Sequence, residues 1–305
     1  MAGSAFGNGS ALAPPRLRRL LLLPALLTIL LFLVVPLGFV LVYSFLTPGT
    51  YGGVVWEFST DAYLQFLFER DLFDESLTFN PAYLQIYARS FLQAAVATVS
   101  SLIVGLPTAY FIATRSPAQR QAWLLLVTVP YWVNLLIRTV SMLFLIRDEG
   151  PINAALLALG LVDRPLRIAY TNFAIGLGLF YSYLPFMVLP IYAAIERFDF
   201  RLVDAAYDLY ADRWTILRKV VLPVVRPGIV AGCLLVFIPG IGAFIAPDLL
   251  GGGKNLMVGN LIALQFQSSR NWPFGSAAAI ILLSIVLLAL MAFVRQQRKA
   301  PGGGR

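Results

Sequence analysis

Residues 203–227 read VDAAYDLYADRWTILRKVVLPVVRP, a charged segment held between two apolar runs. Asp204, Asp208 and Asp212 recur every four residues, so a helix over this segment carries them as one acidic stripe, with Ala205, Ala206 and Leu209 on an apolar flank. A basic pair, Arg218 and Lys219, follows, and the segment closes on Val220, Val221, Leu222 and Pro223. The order is that of a docking element on a membrane protein. The plainer reading, a solvated loop with helical character, leaves unexplained why so polar a segment lies between two runs long enough to span a bilayer.

The 305 residues are 59% hydrophobic and 12% charged, against roughly 45–50% apolar and about 25% charged in soluble domains. By composition this is a membrane protein. The net charge of +8 comes from basic residues at the ends of apolar runs and not from one polar face, which argues against a nucleic-acid partner and for topology as the cause. No histidine is present and Cys233 is the single cysteine. That removes the usual zinc constellations, a disulfide framework and the usual activating partner of a catalytic serine. No GxxxxGK[ST] phosphate loop is present either, so ATP-driven transport would need a separate chain for hydrolysis. No catalytic residue, metal site or cofactor of its own is expected.

Outward from the docking segment, apolar windows predict an all-α integral membrane fold of six transmembrane helices, near 20–45, 91–114, 122–146, 170–194, 228–250 and 275–294. The first run follows Arg16, Arg18 and Arg19 and is too long for the apolar core of a cleaved signal peptide. Residues 1–15 read as a disordered cytoplasmic N-terminus, 16–299 as the membrane domain, 195–227 as its cytoplasmic loop and 300–305 as a tail. Lys and Arg concentrate in the segments that are internal when both termini are cytoplasmic, among them Arg115, Arg120, Arg197 and Arg201. The docking segment is then internal as well.

The first outer loop, about 46–88, carries Glu57, Asp61, Glu69, Asp71, Asp74 and Glu75, a field for a cationic solute or a soluble partner, or a solvated surface. Leu64, Leu67, Phe68 and Leu72 have helical spacing and predict a short amphipathic helix there. The second outer loop predicts a helix over Asn153–Leu159 between a Gly-Pro start and a Gly-Leu stop.

Inside the spans, Arg138 is a cation that has to pair, snorkel or face water, so it is placed on the bundle interior with Asn134 on its face, as a structural or a gating residue. Pro185 and Pro190 free carbonyls in the fourth span, beside Tyr183 and Phe186. Pro239, Gly240, Gly242 and Pro247 interrupt the fifth, which makes it the candidate solute path, with Asp248 at its outer end. An acid at the end of a span is otherwise simply solvated. Trp132 and Trp272 complete the candidate path, Trp272 also being suited to anchor the sixth span at the interface.

The 204–223 segment resembles the EAA loop of the permease subunits of ATP-binding-cassette importers: Asp204, Ala205 and Ala206 match Glu-Ala-Ala, and Val220 to Pro223 match Ile-x-Leu-Pro. Tyr210 stands where the family usually has Gly, so the turn between two short helices is expected elsewhere, at Asp212, or the helix runs on. From about Pro130 to Ala289 the chain is similar to spermidine/putrescine permeases of this class, through PYWVNLLIRT, YLPFMVLPIYAAIE, PGIVAGCLLVFIPGIG, PDLLGGGKNLMVGNLI and NWPFGSAAAI. Asn271 stands where those permeases often have Asp.

The resemblance implies a type I, MetI-like permease fold, multi-pass in the cell inner membrane and working by alternating access. It implies coupling to ATPase subunits through Asp204, Ala205, Ala206, Asp208, Leu209, Tyr210, Asp212, Leu222 and Pro223. The implied partners are a second, homologous permease, two ATPase subunits that use ATP and Mg, and an extracytoplasmic solute-binding protein. The implied solute is a polyamine, whose ammonium groups suit an acid at Asp248; relatives carry opines, thiamine, phosphonates or ferric ion. An ion-coupled secondary carrier is the contrasting class. It needs acids within its spans, and only Asp248 lies near one.

Overall fold

The computed structural model describes residues 15–70 and 77–299. The expected disorder up to residue 14, the 300–305 tail and Leu72 lie outside them. In chain order, α1 (Pro15–Ile29) passes through a π turn (Leu30–Val34) into α2 (Val35–Tyr43). The outer loop then holds α3 (Asp61–Leu64) and two antiparallel hairpins, β1 (Leu46–Pro48) with β2 (Val54–Phe58) and β3 (Phe68–Arg70) with β4 (Leu77–Phe79). Phe68, expected on an amphipathic helix, is thus in a strand opposite Phe79. The helical spacing of Leu64, Leu67 and Phe68 coincides with β-favouring aromatics, and cross-strand pairing prevails.

The next helices are α4 (Ala82–Ala113), α5 (Pro117–Trp132), α6 (Leu135–Ile146), α7 (Pro151–Ala158) and α8 (Asn172–Glu196). The α7 helix meets the expectation for the second outer loop, two residues early. The loop at 195–227 contains α9 (Arg201–Asp208) and α10 (Arg213–Ile216), a second π turn (Leu217–Val221) and the start of α11 (Leu222–Ile241). Short helices α12 (Ile245–Gly251) and α13 (Val258–Gln267) lead to α14 (Trp272–Lys299). Among the described residues five helices are long and apolar enough to cross a membrane, and six if Pro117–Trp132 and the bent run Leu135–Ala158 count as one broken span.

Two predicted spans change shape. The third, expected as one helix over 122–146, breaks at Val133–Asn134 with a bend of 91° between its halves. Asn134 therefore does not share a helix face with Arg138; it is the N-cap of α6, its Oδ1 accepting from Leu136 N–H at 2.8 Å. Pro130 stands just before the break. The fifth helix ends at Ile241, running through Pro239 rather than stopping there, and Asp248 sits on the separate α12. The chain leaves α11 at Gly242, and the expected span to residue 250 ends early there.

α4, α8 and α11 pack together as the centre of the protein. Their approach depends on small residues, the usual device where lipid supplies no hydrophobic drive between helices. A Cβ on Gly228 would stand 2.6 Å from the Pro190 carbonyl oxygen, and one on Gly232 would stand 2.8 Å from Met187 Sδ. Pro185 and Pro190 leave α8 unbroken. Around this trio lie Ile112, Met187, Val188, Ile191, Ile195 and Val225, all fully buried, at the end that carries α9 and α10.

Candidate functional site

The docking segment is a plate packed onto that buried cluster. Val203, Ala206, Ala211, Leu217 and Val220 are half-buried against it and Ile216 and Val221 are buried in it, while Asp204, Ala205, Asp208, Leu209, Tyr210 and Asp212 stay exposed. Ala206 is thus on the inner face and not on the free apolar flank. The face left exposed is aromatic as well as acidic: Tyr210 is 98% exposed, Leu209 82% and Trp214 66%. Trp214 and the exposed Tyr207 escape a search for acids and alanines, although two aromatics in so polar a loop are a signal of their own.

The turn falls at Tyr210, not at Asp212. Tyr210 has φ +56°, Ala211 N–H bonds to the Ala206 carbonyl at 3.1 Å, and Tyr210 N–H bonds to that of Tyr207 at 2.9 Å. This is the Schellman stop, whose left-handed residue is most often glycine. α7 ends the same way with Gly160 at φ +65°, where Leu161 bonds to Leu156 and Gly160 to Leu157. Tyr210 therefore takes a conformation that glycine adopts freely, at a cost of about 1–2 kcal/mol for a side chain in the left-handed region.

The acidic stripe is correspondingly split. Asp204 and Asp208 share α9, whereas Asp212 is the N-cap of α10, its Oδ2 accepting from Trp214 N–H at 3.1 Å and Thr215 N–H at 3.3 Å. Hydrogen bonding from Thr215 holds the Asp212 carboxyl below its ordinary value of 3.8. Beyond α10, Leu222 N–H bonds to the Leu217 carbonyl, five residues back, and Pro223 follows. The first π turn has the same order, Val35 N–H to Leu30 and then Pro36. A proline lacks the N–H and crowds the carbonyl four residues before it, and the wider turn relieves that crowding. So Leu222 is half-buried at the head of α11 and Pro223 is exposed beside it.

A network that the sequence does not announce ties the helix ends beside this plate. Arg120 of α5 donates to the Ala113 carbonyl at 2.9 Å and pairs with Glu196 of α8 at 3.4 Å, the one ion pair among the described residues. Tyr192 donates to the same carboxylate at 2.8 Å. The pair is partly exposed, so its use is to hold the ends of α4, α5 and α8 in register more than to stabilise the fold.

The candidate path residues come together in part. Tyr131 meets Phe186 edge-on at 4.9 Å between ring centres, Tyr183 lies 6.3 Å from Phe186, and the Arg138 guanidinium lies 4.8 Å from the Tyr131 ring. Tyr183 OH also donates to the Pro239 carbonyl of α11, at 3.4 Å. Trp132, 74% exposed, and Asn134 stand at the break beside this cluster. Trp272 is elsewhere, packed by Tyr43 and Phe266. Asp248 is exposed on α12, opposite the Ala246, Pro247 and Leu250 face that packs inward. On the outer loop, Asp61 and Glu69 line an open cavity of about 430 Å³ with Phe68 and Tyr83.

Asn271 has a structural task. Its Oδ1 accepts from Phe274 N–H at 3.1 Å, capping α14, and its Nδ2 lies 3.5 Å from Gln65 Oε1. An aspartate in that position would cap equally well.

Residues 3–299 match the family model described as "Binding-protein-dependent transport system inner membrane component". The spermidine/putrescine transport system permease protein PotB of Haemophilus influenzae is 45% identical over 216 residues, 71% of this chain and 75% of the relative. That of Escherichia coli is 38% identical over 270 residues, 88% and 94% of the two chains. Among solved structures, a bacterial alginate ABC transporter in complex with an alginate-bound periplasmic protein aligns over 95% of this chain and 96% of its own, with a TM-score of 0.71 at 16% identity. The MetNI methionine ABC transporter aligns over 70% of this chain and 94% of its own, with a TM-score of 0.51 at 18% identity. At these identities the structures speak for the fold alone.

Proposed function

Because the chain belongs to the family of binding-protein-dependent transport system inner membrane components, we propose that it is one of two permease subunits of an ATP-driven importer of spermidine and putrescine. It is a multi-pass membrane protein and a transport subunit of the ABC importer class. The observation that carries the polyamine reading is identity of 38% over 88% of the chain to a spermidine/putrescine permease.

In this reading both termini and the α9–α10 plate are cytoplasmic, and the membrane is the cell inner membrane. Two ATPase subunits, using ATP and Mg, engage the two permeases, and Asp204, Asp208, Tyr210 and Trp214 are this chain's contacts. Since Val203, Ala206 and Ile216 are packed on α4, α8 and α11, displacement of the plate moves the central helices with it. That is the means of alternating access. An extracytoplasmic binding protein delivers solute to the outer side, where Asp248 offers a carboxylate to an ammonium group. One acid balances only part of a polyamine's charge, so the second permease contributes the rest.

The test is uptake of radiolabelled spermidine and putrescine by the reconstituted complex. ATP-dependent uptake is expected, lost with Asp204→Lys because the ATPase no longer docks, and weakened with Asp248→Asn while assembly is kept. Uphill transport by this chain alone on an ion gradient would overturn the reading. For orientation, in a Cys233→Ala background, Tyr51→Cys should label from outside and Leu209→Cys from inside only.

A further inference from the structure

Arg138 is 8% exposed, on the first turn of α6. Its Nε is buried without a hydrogen-bond partner, and no carboxylate of the described residues lies within ion-pair distance of it. Two aromatic faces lie beside it, Tyr131 at 4.8 Å and Tyr181 at 6.0 Å. A guanidinium does not lose its proton in a protein, so burial has to be offset by an anion or by full hydrogen bonding.

No described residue of this chain supplies that anion. Helices α4, α5, α6, α11 and α14 contain no Asp or Glu, the one acid of α8 is Glu196, already held by Arg120 and Tyr192, and Asp248 of α12, which packs on α6, faces outward and makes no ion pair. Tyr181 stands about 14 Å along α8 from its start at Asn172, at 1.5 Å per residue. Arg138 is therefore level with the middle of a spanning helix, too deep for a lipid phosphate. A polyamine is itself cationic and cannot neutralise it. The N-terminus of α6 adds positive potential at the same break, and Trp132, Leu136 and Ile137 beside it are left uncovered.

We propose that Arg138 is the cationic half of an ion pair within the membrane, whose carboxylate is supplied by the second permease subunit across the α5–α6 break. The inference rests on the reading of this chain as one of two associated permeases. The pair fixes which faces of the two subunits meet, and the tyrosine rings hold the guanidinium in place for it.

The two permeases are co-expressed with the ATPase, labelled for energy transfer and diluted in detergent to find the concentration at which they separate. Arg138→Gln is expected to raise that concentration on the order of thirty-fold, the size seen when one partner of a buried charge pair is truncated. Arg138→Lys keeps the charge and should raise it only a few-fold. Substituting each span carboxylate of the second permease by its amide should reveal one that gives the same loss and adds nothing to Arg138→Gln. That scan leaves Arg138 intact, so a folding defect of the glutamine variant does not obscure the answer. Separation of Arg138→Gln at the wild-type concentration, or the absence of any coupled acid, would overturn the pair. So would loss of a bound anionic phospholipid as the only change. If the wild-type permeases do not associate at all, it is the two-permease reading that fails.

Discussion

Replacing Tyr210 by glycine separates the backbone from the ring at one position. The left-handed conformation at φ +56° costs a tyrosine about 1–2 kcal/mol that glycine does not incur. Glycine loses roughly 0.5–1 kcal/mol more chain entropy on folding, so the net gain for the α9–α10 turn is about 0–1.5 kcal/mol. No packing is lost, since the residue is 98% exposed. If the ring is an anchor for the ATPase, however, its removal weakens docking by about 2 kcal/mol or more, the scale of an interface hot spot. Hydrogen exchange of 201–216 in the purified complex reads the first effect, and titration of the ATPase onto the permease pair reads the second. Slower exchange together with docking roughly thirty-fold weaker is expected. Tyr210→Phe should change neither by much, and Tyr210→Asn, which tolerates the same backbone, should resemble glycine in docking. Faster exchange in the glycine variant would refute the account of the turn, and unaltered docking would refute the role of the ring.

Gly228→Ala places a methyl 2.6 Å from the Pro190 carbonyl oxygen, and because a backbone atom cannot swing aside it should destabilise the fold by about 1–3 kcal/mol. Gly38→Ala, with nothing within 4 Å, is the control, and thermal unfolding in detergent compares them. For Asp212, the folded carboxyl lies below its ordinary value of 3.8, so its contribution to the turn is complete above that pH and is lost as pH falls through the lower folded value. Exchange at Trp214 and Thr215, corrected for intrinsic rate, should be flat from pH 5 to 8 and rise only below 3.8; Asp212→Ala should be raised throughout.

The spans are legible from the amino acids because lipid demands long unbroken apolar runs, and a run of that kind has few other uses. What escapes is where such a run bends. Asn134 counts as one more polar residue in a hydropathy window, yet an Asn before a fresh apolar run and shortly after Pro130 carries an N-cap signature. Asp248 falls at the end of a span in the same window, because hydropathy does not register that α11 stops at Ile241 and a separate short helix follows. At the docking plate, the acids and the closing Leu-Pro mark the segment, while its turn is concealed by a tyrosine performing a glycine's task. Gly160 makes the equivalent stop after α7 readable at once. The Arg120 network has no linear signature, since Arg120 and Glu196 meet only after α5 and α8 pack.

The π turn ahead of Pro223 puts one more residue into the link between plate and spanning helix than an ordinary α-helix would hold. In angular terms each residue is worth about 100° about the axis, so the azimuth at which α10 presents Trp214, relative to the face that α11 turns toward α8, is set by that single insertion. Removing one residue between Leu217 and Val221 would leave every amino acid of α9 and α10 intact and point them in another direction.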